Sequence, residues 1–155
     1  MIDKLTAIVP GIEFLPGEHF AWSPLDNKIT YPLDKTDDED NYALLHETGH
    51  ALLGHRNYQT DYQLLKMEVE AWEKAKEIAV KLGITINEDH IQECLDSYRD
   101  WLYKRCICPS CGTKTIQNDN SNSYSCFNCH ACWKVSPSRF CRAYRTRKQA
   151  ELKLI

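Results

Sequence analysis

The sequence predicts an α+β chain: a small N-terminal β-sheet packed on a core of three helices, followed by a small cysteine-rich module. Three observations predict it. The first 35 residues hold four of the six prolines and two short β-prone runs. Residues 38–102 carry apolar positions at helical spacing in three segments, punctuated by Gly54 and Gly83. Six of the eight cysteines fall within residues 106–132.

Taken in order, Phe20-Ala-Trp22 and Ile29-Thr-Tyr31 are strand candidates, and the intervening Ser23-Pro-Leu-Asp-Asn27 suits a hairpin turn. The rest of the first 35 residues reads as strands and turns. The acidic run Asp37-Asp-Glu-Asp40 precedes a helical pattern, and negative charge in a first turn favours the helix dipole. Helix one is expected over residues 38–53, with Gly54 as its stop, and helix two over residues 61–82, stopped by Gly83. A third helix starts near the N-cap Asn87 and carries Ile91, Leu95, Tyr98 and Leu102 on one face.

The 155 residues are 43% hydrophobic and 26% charged, which suits a globular rather than a disordered chain. No apolar run approaches the ~18 residues of a membrane span, and the N-terminus has no basic flank leading into an apolar stretch. A cytoplasmic location without membrane partners is expected. The net charge of −3 hides a division: residues 1–98 hold 8 Lys/Arg against 19 Asp/Glu, residues 99–155 hold 11 against 3. An acidic front and a basic, cysteine-rich back predict two modules, residues 1–104 and 105–155.

Helix one contains His46-Glu47-Thr48-Gly49-His50. Residues i and i+4 lie one turn apart on the same helical face, so two imidazoles can grip one ion with Glu47 beside them. In H-E-x-x-H zinc peptidases the ion acidifies its water and polarises the scissile carbonyl, while the glutamate takes the proton and passes it to the leaving amine. The apolar flanks, Tyr42-Ala-Leu-Leu45 and Ala51-Leu-Leu53, argue against ordinary surface histidines.

A catalytic zinc needs a third protein ligand and an open position. On helix two, Leu64, Leu65, Ala71, Trp72, Ala75, Ile78, Ala79 and Leu82 share a face with Glu68 in its middle. Glu70, Glu73 and Glu77 fall among lysines on the opposite side. A lone carboxylate on an apolar face is costly unless paired or metal-bound, so Glu68 is the expected third ligand, with Glu70 as the fallback. His55 competes, but its offset from His50 and Gly54 differs from that of the peptidases whose third ligand is a histidine; its bland role is a helix C-terminal cap. Tyr58, Tyr62, His90, Tyr98 and Arg99 are all candidates for oxyanion stabilisation, and nothing in the sequence chooses among them.

His46-Glu-Thr-Gly-His50-Ala-Leu-Leu-Gly-His55, with Glu68-x-x-Ala71-x-x-x-Ala75 on the next helix, resembles the gluzincin pattern, in particular the small ImmA/IrrE-type metallopeptidases and the minigluzincins. The resemblance covers roughly residues 20–82. It implies a zincin-like helical core, an active-site helix plus a Glu-bearing helix, under a small sheet whose edge strand aligns a protein substrate. That strand would here be Ile29-Thr-Tyr31. The second helix lacks the aromatic-rich, leucine-proline ending of that pattern, since Ala75 is followed by Lys-Glu-Ile-Ala.

Cys108-Pro-Ser-Cys111-Gly and Cys126-Phe-Asn-Cys129 are two C-x-x-C knuckles able to form a closed tetrahedral site of four cysteines, a zinc ribbon whose metal is structural. Cys129 with Cys132 is the alternative register, with His130 a distant substitute; Cys94, Cys106 and Cys141 are expected to be free thiols. The complement of metals is thus Zn2+ twice, one catalytic and one structural. Around the ribbon lie Arg99, Lys104, Arg105, Lys114, Lys134, Arg139, Arg142, Arg145, Arg147 and Lys148, interleaved with Tyr124, Trp133, Phe140 and Tyr144. Basic residues among aromatics suit DNA or RNA, although docking on the acidic half is a rival use of the same charge.

The functional expectation is a zinc metallopeptidase acting on a protein or peptide substrate. A SprT-like protease on DNA-bound protein shares the architecture but needs a later third histidine that is not evident. A non-enzymatic nucleic-acid-binding ribbon protein is the reading from another class.

Overall fold

The computed structural model describes residues 1–34, 37–117, 122–136 and 146–148, the last three by backbone alone. The elements run α1 (Ile2–Ile8), β1 (Glu13–Pro16), β2 (Ala21–Ser23), β3 (Lys28–Tyr31), α2 (Asp38–Leu52), α3 (Asp61–Leu82), α4 (Glu88–Cys106), β4 (Ser123–Ser125), β5 (Cys132–Lys134) and β6 (Thr146–Lys148). The chain is therefore α+β, with strands, then helices, then a second small sheet. Two compact units share the long helices: Met1–Asn57 with Lys66–Leu95, and Tyr58–Leu65 with Asp96–Ile155. The expected boundary between residues 104 and 105 falls inside the second unit. Among the described residues, no helix is long and apolar enough to cross a membrane.

In the first unit, the sheet order is β1-β3-β2. The hairpin pairs β2 antiparallel with β3, Trp22 opposite Ile29, and Asn27 closes the turn at φ +51°. β1 joins β3 in parallel, Phe14 opposite Ile29. Pro16 sits on this outer strand, where a missing amide costs no ladder bond. The order corrects one expectation: Ile29-Thr-Tyr31 is central, paired on both sides, and offers no free edge. The edge strand beside the H-E-x-x-H helix is β2.

A second correction is α1. The opening residues form a helix because Ile2, Leu5 and Ile8 recur at helical spacing and Leu5 inserts fully into the core. So short an apolar run does not distinguish helix from strand.

The core brings Leu5 and Ile29 together with Leu44 and Leu45 of α2, Trp72, Ala75, Ile78 and Ala79 of α3, and Ile91 and Leu95 of α4. Truncating one such side chain, Leu45→Ala for instance, removes about 2–5 kcal/mol of stability. α2 begins in a capping box: the Asp37 carboxylate accepts from Asp40 N–H (2.8 Å), and that of Asp40 accepts from Asp37 N–H (3.2 Å). It ends in a Schellman motif, His55 N–H donating to His50 C=O (3.0 Å) and Gly54 N–H to Ala51 C=O (3.1 Å), with Gly54 at φ +63°.

In the second unit, β4 and β5 form a hairpin, Tyr124 opposite Trp133, and β6 pairs with β5. Among its described residues, Cys108, Tyr124, Cys126, Trp133 and Val135 form an apolar cluster. A buried polar cluster supplements it. The fully buried Arg105 of α4 lies 3.2 Å from Asp61 at the start of α3, bonds Asn122, and stacks 4.1 Å over the Trp101 ring. Tyr124 donates its hydroxyl to Asp61, and Trp133 Nε1–H donates to the Arg105 carbonyl (3.1 Å). This cluster is why the first turn of α3 and the last turns of α4 belong to the cysteine-bearing unit.

Candidate metal centres

The first centre depends on how closely α2 and α3 approach. Gly49, the fourth residue of the H-E-x-x-H stretch, faces Ala71: a Cβ there would lie 2.4 Å from the Ala71 carbonyl oxygen. Only glycine admits that backbone, and the close approach carries Glu68, one turn before Ala71, toward the histidines. Glu68 is 5% exposed, His46 8% and His50 9%.

The atoms that meet are His46 Nε2, His50 Nε2 and the Glu68 carboxylate. His46 Nε2 lies 3.1 Å from Glu68 Oε2 and 3.1 Å from His50 Nε2, and His50 Nε2 lies 3.7 Å from Glu68 Oε1. Protons alone satisfy this triangle poorly. A neutral imidazole nitrogen either donates or accepts, so one His46 N–H must be divided between Glu68 Oε2 and His50 Nε2, both 3.1 Å away, and is aligned fully with neither. A cation shared by three lone pairs removes the conflict, and these residues can hold a metal ion. Burial raises the Glu68 carboxyl, but hydrogen bonds and positive charge from His46 and His50 outweigh it and bring it down to about 2. Glu68 is therefore an anion at neutral pH.

The neighbours differ on the two sides. The His46 ring packs against Trp72 at 4.4 Å between centroids, and its Nδ1 is buried without a hydrogen-bond partner. His50 Nδ1 instead meets His55 Nδ1 at 2.8 Å, and His55 Nε2 lies 3.6 Å from Glu70 Oε2. Glu70 also pairs with Lys66 at 3.6 Å. Neither His55 nor Glu70 joins the His46–His50–Glu68 cluster. The remaining glutamates of α3 pair with lysines, Glu73 with Lys76 (2.8 Å) and Glu77 with Lys74 (2.5 Å). Desolvation, followed by the positive charge of His50, lowers the pKa of His55.

Glu47 is half-buried, and its Oε2 accepts from the backbone N–H of Trp22 on edge strand β2 (2.8 Å). The Trp22 indole donates to the His55 carbonyl (2.9 Å). One residue of β2 thus holds both the middle of the motif and the turn that ends its helix. Sequence reasoning named Trp22 only as a strand residue, because a main-chain bond to Glu47 leaves no trace in side-chain pattern. Of the oxyanion candidates, His90 packs edge-on against Tyr42 (5.4 Å) and Trp72 (5.8 Å). Tyr58, Tyr62, Tyr98 and Arg99 belong to the second unit, where Arg99 bonds Asp96 (2.7 Å).

The second centre gathers Cys108, Cys111, Cys126 and Cys129, whose sulfurs all lie within 4.8 Å of one another. The two knuckles have the same backbone. In the first, Gly112 N–H donates to Cys108 C=O (3.0 Å) and Cys108 N–H to Thr113 C=O (2.9 Å). In the second, His130 N–H donates to Cys126 C=O (2.9 Å) and Cys126 N–H to Ala131 C=O (2.8 Å). Gly112 and His130 occupy equivalent left-handed positions, φ +73° and +59°. The sulfurs meet across the knuckles, Cys108 with Cys129 at 3.6 Å and Cys111 with Cys126 at 3.5 Å. Hydrogen bonds to Thr113 bring the Cys111 thiol down to about 5. The four can bind zinc as a zinc-ribbon-like site. Cys132 stands apart on β5, its sulfur against Ser125 Oγ (3.5 Å), and Cys106 donates to the Tyr103 carbonyl (3.2 Å).

The basic and aromatic residues of this unit divide. Arg105, Tyr124 and Trp133 are buried and belong to its core rather than to a binding surface, while Lys104, Lys114 and Lys134 are exposed. Arg139, Phe140, Cys141, Arg142, Tyr144 and Arg145 lie outside the described residues, and Arg147 and Lys148 are described by backbone alone.

Comparison of the chain with protein-family models, with curated proteins and with solved structures finds no match.

Proposed function

We propose that the first unit is a zinc-dependent peptidase and that the cysteine-bearing unit, stabilised by a structural zinc, serves its recognition. The observation that carries this reading is the convergence of two imidazoles and one carboxylate, with Glu47 next in sequence to His46. Two nitrogens and one oxygen are the donor set of a catalytic zinc with an open position. Ligands at ~2.0–2.1 Å in tetrahedral array stand about 3.3 Å apart, within the observed spread of 3.1–3.7 Å. Four thiolates suit a closed site: a ~2.3 Å bond length puts sulfurs about 3.8 Å apart, near the 3.5 and 3.6 Å across the knuckles.

When bound, zinc would supply an electrophile for the peptide carbonyl and a water acidified to near neutrality. The chain's own groups do the rest. Glu47 takes a proton from water and delivers it to the departing amine. The Trp22 amide donates to the Glu47 carboxylate and orients it. β2, as the exposed edge, is the strand beside which an extended substrate would lie, in place of the central β3. Trp72 and the apolar packing of α2 and α3 exclude water from behind His46.

The test is Glu47→Gln in the full chain, assayed on denatured protein with new termini read by mass spectrometry. The expected result is unchanged zinc content with hydrolysis reduced by about 10²–10⁴-fold. Hydrolysis at the wild-type rate contradicts the role of Glu47.

A second reading, nucleic-acid binding by the other unit, draws on its charge: 11 Lys/Arg against 5 Asp/Glu, while the first unit has 8 against 17. It predicts salt-dependent oligonucleotide binding that survives Glu47→Gln.

A further inference from the structure

We propose that His55 is a positioning residue: it accepts the Nδ1 proton of His50 and so holds the His50 ring in the tautomer and orientation that a metal ion requires. The inference rests on the metal centre proposed above and assigns a role to two residues, His55 and Glu70, that the centre itself does not use.

Tautomer logic carries it. For His50 to offer its Nε2 lone pair to the centre, its single proton must sit on Nδ1. That Nδ1 lies 2.8 Å from His55 Nδ1, so His55 must accept there and carry its own proton on Nε2. His55 Nε2 faces Glu70 Oε2 at 3.6 Å, too long for a direct hydrogen bond but close enough for the carboxylate to favour a proton on that side. The two rings then form a directed chain, Glu70 to His55 to His50, in which reversing either tautomer opposes two lone pairs or two protons. The wrong tautomer of His50 points N–H, not a lone pair, at Glu68 and His46.

The position of His55 is dictated by backbone. The Schellman motif bonds its N–H to the His50 carbonyl, Gly54 supplies the left-handed turn, and the Trp22 indole bonds its carbonyl. The His55 side chain is only 11% exposed, so it is fixed beside His50 rather than sampling solvent. His46 provides the internal contrast, since its Nδ1 has no such acceptor.

The experiment measures affinity for cobalt(II) in the full chain with the cysteine site preloaded with zinc, by competition with a chromophoric chelator and by the visible absorption of the bound cobalt. Three proteins are compared: wild type, His55→Leu and His55→Asn. The asparagine Oδ1 stands where histidine has Nδ1 and can accept the same proton. The backbone contacts of residue 55 are unaffected by either change. The expected result is that His55→Leu binds cobalt about 10–100-fold more weakly, while His55→Asn recovers most of the loss and the wild-type spectrum. Equal affinity of His55→Leu and wild type overturns the positioning role. Equal weakening in His55→Leu and His55→Asn also overturns it, since ring volume and not the accepted proton would then matter. If wild type takes up no cobalt beyond the cysteine site, the metal-centre reading itself falls, which is a different outcome from either of these. Should His55→Leu not fold, Glu70→Gln read against wild type replaces it, with a smaller weakening expected and an unchanged affinity contradicting the chain.

Discussion

The two candidate metal centres are built on opposite plans. His46, His50 and Glu68 project from long helices into a site whose walls are already packed. Leu44 and Leu45 flank it on α2, Ala71 and Trp72 on α3, and the approach of the helices at Gly49 sets the spacing. The four cysteines sit on two turns beside an apolar cluster that, among the described residues, includes two of those cysteines, Cys108 and Cys126. On the reading proposed above, the first centre is a guest of a fold that exists without it, and the second is a condition of folding. Donor chemistry follows the same division: two imidazoles and a carboxylate against four cysteine sulfurs.

The sharpest way to break this comparison is to remove metal. A chelator is expected to collapse the amide resonances of the cysteine-bearing unit while those of Met1–Asn57 and Lys66–Leu95 persist, because a structural zinc site can contribute about 10–16 kcal/mol to folding. Loss of both sets together would mean that the units do not differ in this way.

The next largest effect is acid unfolding of the metal-free protein. Glu68 ionises near 2 in the folded chain against an ordinary value of 4.5. A depressed carboxyl contributes stability above its unfolded value and loses it as pH falls toward its folded one, so about 3 kcal/mol should disappear between pH 4.5 and 2. Glu68→Gln should flatten that part of the stability curve measured by denaturant titration.

How far the sequence discloses these plans can be seen residue by residue. Glu68 is legible because a charge in the middle of an apolar helical face needs a partner, and helical periodicity fixes that face. The cysteine knuckles are legible because C-x-x-C spacing is local. The strand order is not, since β1 pairs with β3 in parallel across a hairpin, and local alternation says nothing about which strand lies centrally. Glycine at position 49 reads as part of a motif, yet its physical reason is a carbonyl of another helix. The role of His55 is half visible: Gly54 announces the helix end, but which ring the next side chain meets depends on the three-dimensional turn.

Gly49→Ala sharpens the comparison at intermediate size. With Ala71 backbone in the way of its Cβ, the helices must separate, costing about 1–3 kcal/mol and withdrawing Glu68 from the histidines. Denaturation should register the loss of stability, and metal analysis the loss of the first ion with the second retained. His130→Gly probes the other plan with the opposite sign. It relieves a non-glycine residue at φ +59°, and should stabilise the cysteine unit against chelation by about 1 kcal/mol. The smallest expected effect is Trp22→Phe, which keeps an aromatic ring but removes the 2.9 Å bond to the His55 carbonyl, worth about 1 kcal/mol in thermal unfolding.

The central claim, two independent metal centres of which only one is needed for folding, is tested most directly by zinc per chain in wild-type and His50→Ala protein, measured by elemental mass spectrometry on folded samples. Two zinc ions in the wild type falling to one in the variant, with the fold of both units retained, is the predicted result. One zinc in both proteins would contradict it, leaving only the cysteine site metallated and the helix histidines without the ion on which the peptidase reading depends.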